Sequence, residues 1–185
     1  MQRPISQRLI AFLRAINVGG HTVTMAQLRR EFDALGLKDV ETFIASGNVV
    51  FTSGSKDTAA LEKKIAARLR ASLGYDVDTF IRTDADVIAI AACKPFKDAA
   101  IGNAVAFCVG FIARPLEAAG VRALAAFKTD IDDFHTQGRE VYWLCRKKQS
   151  DSRFTNARME KALKIRATFR GMNTVARLAA KYGPS

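Results

Sequence analysis

A chain of 185 residues, 49% of them hydrophobic, has room for one domain with a sizeable core or for two small subdomains. No apolar stretch approaches the roughly 20 residues that span a bilayer, and the polar start Met1-Gln2-Arg3-Pro4-Ile5-Ser6-Gln7-Arg8 is not a secretory signal. The expectation is a cytoplasmic protein without a membrane partner. The net charge of +11 is unevenly placed: residues 146–185 hold eleven Lys and Arg against the two acids Asp151 and Glu160, a surplus of nine.

Arg8 to Arg14 reads as a buried strand bounded by charges. The polar run Arg14-Ala15-Ile16-Asn17-Val18-Gly19-Gly20 follows. Thr24 and Gln27 have capping-box spacing, and Met25, Leu28, Phe32 and Leu35 mark one face of the helix that Gly36 ends. Val40 to Ala45 and Val49 to Ser53 form a hairpin around Ser46-Gly47-Asn48. Asp57 caps a second helix with Leu61, Ile65, Leu69 and Leu73 on one stripe, ended by Gly74, and Tyr75 to Thr83 is a strand. Thr83, with Asp86 three residues on, opens a connecting helix to Cys93, and residues 94–103 read as a loop.

The second half repeats the order. Ala104 to Ile112 is a strand, and Pro115 opens a helix at its first position. Asp132 to Thr136 and Glu140 to Arg146 form a hairpin around Gln137-Gly138-Arg139. Phe154 to Leu163 is a helix, Ile165 to Arg170 a short strand, and a last helix runs from about Asn173 to Lys181, capped by Asn173 or Thr174. The fold expected is α+β: two tandem ferredoxin-like (βαββαβ) units with a C-terminal helix, divided into residues 1–93 and 94–185. Identity between the halves is negligible, so the duplication rests on element order alone.

Polar, glycine-bearing loops beside strands are where ligand contacts gather. Arg14, Asn17, Gly19 and Gly20 precede a helix N-terminus, which attracts anions. This loop has neither the spacing of the dinucleotide fingerprint nor the lysine of a P-loop. Ser46, Gly47 and Asn48 suit a hairpin turn, and they also offer hydrogen bonds at a strand end. A ferredoxin-like unit is expected to place this hairpin at the opposite end of the sheet from the Arg14 loop. Arg170, Asn173 and Thr174 form a third polar segment, expected at the corresponding end of the second repeat, with Arg170 aimed at the helix start.

No metal site or cofactor is expected. Asp130, Asp132, Asp133 and His135 are ligand types without a completing cluster, and no nucleophile–base order stands out. Cys108 and Cys145 sit in strand-like runs as small hydrophobes, while Cys93 ends a helical run. Tyr142 and Trp143 alternate in a strand, so one of the two is a candidate for exposure.

The segments Leu13-Arg14-Ala15-Ile16-Asn17-Val18-Gly19-Gly20, Met25-Ala26-Gln27-Leu28-Arg29 and Val40 through Phe51 resemble the domain of unknown function 1697 family. So do Phe154-Thr155-Asn156, Glu160-Lys161, Ala167-Thr168, Arg170 and Asn173-Thr174-Val175. Ala15 stands where the family usually has glycine, the loop at His21-Thr22-Val23 is slightly short, Thr24 replaces a proline, and Gly171 and Met172 replace an Asn-Trp pair. The resemblance implies an α/β protein with ferredoxin-like halves and supplies no reaction.

Three functional readings follow. One is a binding protein for a phosphate-bearing ligand or nucleic acid through the basic surface. Another is a small-molecule enzyme or sensor with a cleft built from the three polar segments. The blandest is a structural or interaction module. An open sheet face would favour nucleic acid, because RNA-recognition domains stack bases there.

Overall fold

The computed structural model describes residues 6–44 and 47–183. Its first sheet is built from β1 (Gln7–Leu13), β2 (Lys38–Phe43), β3 (Asn48–Ser53) and β4 (Thr79–Thr83), with α1 (Met25–Asp33) after β1 and α2 (Thr58–Leu73) after β3. The strands lie in the order β2-β3-β1-β4, and every pair is antiparallel. Next come α3 (Asp84–Ala92) and α4 (Asp98–Gly102). The second sheet holds β5 (Ala106–Ile112), β6 (Asp132–Gln137), β7 (Glu140–Cys145) and β8 (Ala167–Gly171) in the order β6-β7-β5-β8, again antiparallel. Its helices are α5 (Ala118–Ala125) and α6 (Asn156–Leu163), and α7 (Met172–Tyr182) closes the chain. The architecture is α+β, with two four-stranded antiparallel sheets. Contacts divide it into one unit of Met1–Ile88 with Leu178–Ser185 and another of Ala89–Arg177.

Local chemistry sets the element ends. Thr24 Oγ1 accepts from Gln27 N at 3.1 Å, and Asp57 Oδ1 accepts from Ala60 N at 2.9 Å, each satisfying a helix N–H that has no carbonyl within its own helix. At the start of α3 the box is reciprocal: Asp86 N donates to Thr83 Oγ1 and Thr83 N to Asp86 Oδ2. Gly74 ends α2 in the left-handed conformation.

Several boundaries differ from the sequence reading. Pro115 does not open α5, because Glu117 occupies the cap position and the proline stays in the preceding loop. Residues 94–103 are not all loop, since α4 forms within them. Helix α7 starts at Met172, directly after β8, so Asn173 and Thr174 lie in its first turn and do not cap it.

Alternation along each strand divides the side chains between two faces. In the first unit Leu9, Ala11, Leu13, Val49, Phe51 and Ile81 pack with Leu28 and Phe32 of α1 and with Leu61, Ile65 and Leu69 of α2. The opposite face carries Ile10, Phe12, Val50 and Phe80, all at most 3% exposed. Residues at the end of α7 belong to this unit: Arg8 donates to the Tyr182 carbonyl, and the Tyr182 hydroxyl donates to Glu41 Oε2 at 2.8 Å. In the second unit Cys108, Ile112, Val141, Trp143, Cys145 and Ala167 form a core with Leu124, Phe154 and Met159. Tyr142 is as buried as Trp143, which corrects the expectation that one of them is exposed; Tyr142, Val109, Phe111 and Leu144 fill the other face.

Edge strands leave outward N–H groups that must find acceptors. Glu62 of α2 accepts from Ile81 N at 2.7 Å, on edge strand β4. Glu160 of α6 accepts from Ala167 N at 2.8 Å, on edge strand β8, and Asn156 Nδ2 donates to the Ala167 carbonyl at 2.9 Å. Both carboxylates are buried.

Glu62→Ala should lower stability by about 1–3 kcal/mol, because it strands a buried N–H. Glu62→Gln keeps an acceptor oxygen and should lose much less. Urea unfolding of both variants checks this, and equal losses would refute the pairing.

Candidate functional site

The two polar segments of the first unit meet, contrary to the expected opposite ends. β1 and β3 are antiparallel with Phe12 opposite Asn48, so the end of β1 and the start of β3 share one end of the sheet. Leu13 N donates to the Gly47 carbonyl at 2.9 Å. Gly47 has φ +76°, and a Cβ there would stand 2.7 Å from Ile16 Cγ2. Both the backbone conformation and the space therefore require glycine.

Their polar atoms are spent on structure. Asn17 Oδ1 accepts from Val23 N at 2.8 Å, which closes the loop before α1. Asn48 is fully buried, and its Nδ2 donates across the hairpin to the Phe43 carbonyl at 3.0 Å. Arg14 faces Asp78 at 3.7 Å. Tyr75 braces the loop by donating to the Ile16 carbonyl at 2.7 Å and stacking on His21 at 4.0 Å. Gly19 and Gly20 both have positive φ and are exposed. Ser46 lies outside the described residues. Ala15, where the family usually has glycine, sits at φ +58°, a conformation that suits glycine better.

Arg170 belongs to the second unit. Register pairs it with Val109, while Cys108 pairs with Gly171 near the start of β5. The segment from Arg170 therefore lies at the end of its sheet where β5 begins. The Arg14 loop lies where β1 finishes, so the two segments are not at corresponding ends. Arg170 is 9% exposed; its Nη1 donates to Thr168 Oγ1 at 2.8 Å and to the Phe169 carbonyl at 2.9 Å. Burial pulls its guanidinium down to about 10, which leaves it cationic near neutrality. Arg82 is its counterpart in the first sheet. It pairs with Ile10 on β1, it is 1% exposed, and it likewise donates to the carbonyl of the preceding residue. Sequence reading missed Arg82, because a single arginine in a short strand carries no signal of burial.

The second unit also holds a cavity of about 270 Å³, lined by Trp143, Gln149, Phe154, Asn156, Phe169 and Gly171 among others. An adjoining cavity of about 370 Å³ reaches Val105, Phe107, Met172 and Asn173, and both are lined by Cys108 and Gly171. Trp143 and Phe154 have ring centroids 4.7 Å apart, and Phe154 and Phe169 5.9 Å. Phe169 lies directly over Gly110, where any Cβ would strike its ring.

Asp132 positions these walls. It is 1% exposed and accepts from Trp143 Nε1 at 2.8 Å and from Ser152 Oγ at 2.8 Å; Thr129 Oγ1 lies 3.2 Å away. Ser152 Oγ in turn accepts from Phe154 N at 2.9 Å. An acid considered for metal binding thus anchors an indole and a loop. Asp133 is engaged by Lys128 at 3.0 Å and Arg146 at 3.5 Å. Among the described residues no group of three or more His, Cys, Asp or Glu is placed to hold a metal. No helix among them is long and apolar enough to cross a membrane.

Residues 6–142 match the family described as Protein of unknown function (DUF1697), and the chain belongs to that family. Among solved structures it is similar to the conserved bacterial protein SP0830 from Streptococcus pneumoniae. The likeness covers 95% of this chain and 98% of that one at 24% identity, with a TM-score of 0.73, and it concerns the fold. No curated protein matches the sequence.

Ala15→Gly should stabilise the protein by about 1 kcal/mol by relieving the left-handed alanine, and Gly47→Ala should cost about 2 kcal/mol. Thermal melts of the two variants test both signs. Burial pushes the Cys108 thiol up to about 11 and raises that of Cys145, whereas Cys93 is partly exposed. A thiol reagent at neutral pH should therefore label Cys93 in the native protein, and the other two only after unfolding. Fast native labelling of Cys108 would contradict the burial.

Proposed function

We propose that this protein binds a phosphate-bearing ligand or nucleic acid through the cations of its second unit. The observation that carries the reading is the state of those cations. Lys147, Lys148, Arg153, Lys161 and Lys164 are exposed, and none has a carboxylate partner among the described residues. They belong to the stretch of chain that also supplies Gln149, Phe154 and Asn156 to the cavity lining. Exposed cations gathered without carboxylate partners attract phosphates.

The central strands of both sheets are buried on the face away from the helices, so base stacking on an open sheet is not the mode proposed. The two units are read as duplicated ferredoxin-like folds. Their shared element order, their equivalent strand orders and the matched Arg82 and Arg170 support that reading. Three free cysteines fit a reducing, cytoplasmic setting.

Single-stranded RNA should bind at low salt, with log K falling linearly as log salt rises. Lys147→Ala with Lys148→Ala should reduce that slope by about 1.4, two released counterions at ~0.7 each. Fluorescence anisotropy across a salt series checks this. Absence of binding at low salt would sink the reading.

A further inference from the structure

We infer that the outward face of the second unit's helix layer is an interface for duplex nucleic acid, gripped by its phosphate backbone without regard to sequence. This deepens the reading of a phosphate-bearing partner and rests on it. Helices α5 and α6 lie against each other, and Leu124 and Met159 turn from them into one core. Their other faces are open: Ala118, Val121, Arg122 and Ala125 of α5 are exposed, as are Ala157, Arg158, Lys161 and Ala162 of α6. Neither helix presents an exposed acid, because Glu160, the one carboxylate within them, is buried against β8.

The charge on this layer is uncompensated. Arg122, Arg158 and Lys161 have no carboxylate partner among the described residues, and neither do Arg153, just before α6, and Lys164, at its end. Arg158 Nη1 donates to the Arg153 carbonyl at 2.6 Å, which ties the helix start to the segment before it. In the first unit, by contrast, Arg68 and Arg70 of α2 are matched by Glu31 at 2.6 Å and Asp76 at 3.0 Å.

The side chains between the cations select the partner. No Phe, Tyr or Trp among the described residues is exposed, so the layer offers no ring on which the bases of a single strand could stack. Val121 is its one exposed large hydrophobic residue, too little to enter a lipid surface, into which amphipathic helices press Trp, Phe or Leu. Alanine methyl groups instead let a row of phosphates come close to the cations. A duplex concentrates phosphate most, with one charge per ~1.7 Å of axis against ~3.4 Å along one strand, so cations without stacking partners favour it. Backbone contacts carry no base information, hence the indifference to sequence.

Fluorescence anisotropy of the whole protein with a short labelled DNA duplex, an RNA duplex of equal length and each separate strand tests this. Both duplexes should bind more tightly than their strands, and duplexes of unrelated sequence should bind alike; the tighter of DNA and RNA identifies the source. Arg122→Ala with Lys161→Ala should reduce the slope of log K against log salt for the DNA duplex by about 1.8, two released counterions at ~0.9 each. Ala162→Glu should weaken duplex binding at least tenfold, and Lys63→Ala with Lys64→Ala, on α2 of the first unit, should leave it unchanged. The Arg122 and Lys161 pair decides the matter if the Ala162 variant does not fold. The inference is overturned if the strands bind as tightly as the duplexes, if affinity follows sequence, if the first-unit pair lowers the slope as much as the second-unit pair, or if phosphatidylserine vesicles bind and duplexes do not. Strands that bind more tightly than duplexes, with steep salt dependence, would end this inference while the broader reading stands; no binding of any nucleic acid at low salt would end both.

Discussion

The second unit depends on one buried carboxylate. Asp132 lies at the start of β6, nearly inaccessible to solvent, and it is tolerable there only because donors surround it. The Trp143 indole comes from the neighbouring strand, and the Ser152 hydroxyl comes from the loop that leads into α6. Hydrogen bonds to a charged group contribute about 1.5–3 kcal/mol each, roughly twice a neutral one. The loop's direction follows from that anchor, since Ser152 also receives the Phe154 N–H and delivers the Phe154 ring to the core. The aromatic lining of the cavity, Trp143 and Phe154 among it, is positioned by this arrangement.

A parallel constraint governs the sheets. Each has an exposed-edge problem at its last strand, and each meets it with a glutamate from the unit's second helix. The helix is thereby tied to the strand by an ion-strength hydrogen bond as well as by apolar packing. In the second unit the device extends to Asn156, which engages the carbonyl of the residue whose N–H Glu160 accepts. That commitment leaves the buried Asn156 Oδ1 without a hydrogen-bond partner among the described residues.

Much of the fold was legible because it is written in short-range chemistry. The Thr24, Asp57 and Thr83 caps, the Gly74 terminus and the 3.6-residue stripe of Leu61, Ile65 and Leu69 all form as their spacing predicts. The misread elements are those where a neighbour intervenes. Pro115 has the sequence mark of a helix start, but the cap falls two residues later at Glu117. The Arg14 loop and the Gly47 turn were expected apart, but antiparallel pairing of β1 with β3 sets the end of the one beside the start of the other. The polar residues of both segments, read as ligand contacts, prove to close turns: Asn17 on Val23 and Asn48 on Phe43.

The amino-acid sequence by itself determined which segments become helix or strand, where helices start and stop, and that the positive charge gathers toward the C-terminus. Each of these depends on residues a few positions apart, or on composition alone. Only the tertiary structure decided that Asp132 grips an indole, that Glu62 and Glu160 close sheet edges, that Arg82 and Arg170 are both buried, and that Gly171 lines two cavities. Those facts join residues distant along the chain, or depend on empty space beside a residue. Distance along the chain and empty space are set by packing, and packing leaves no mark in the local pattern of residues.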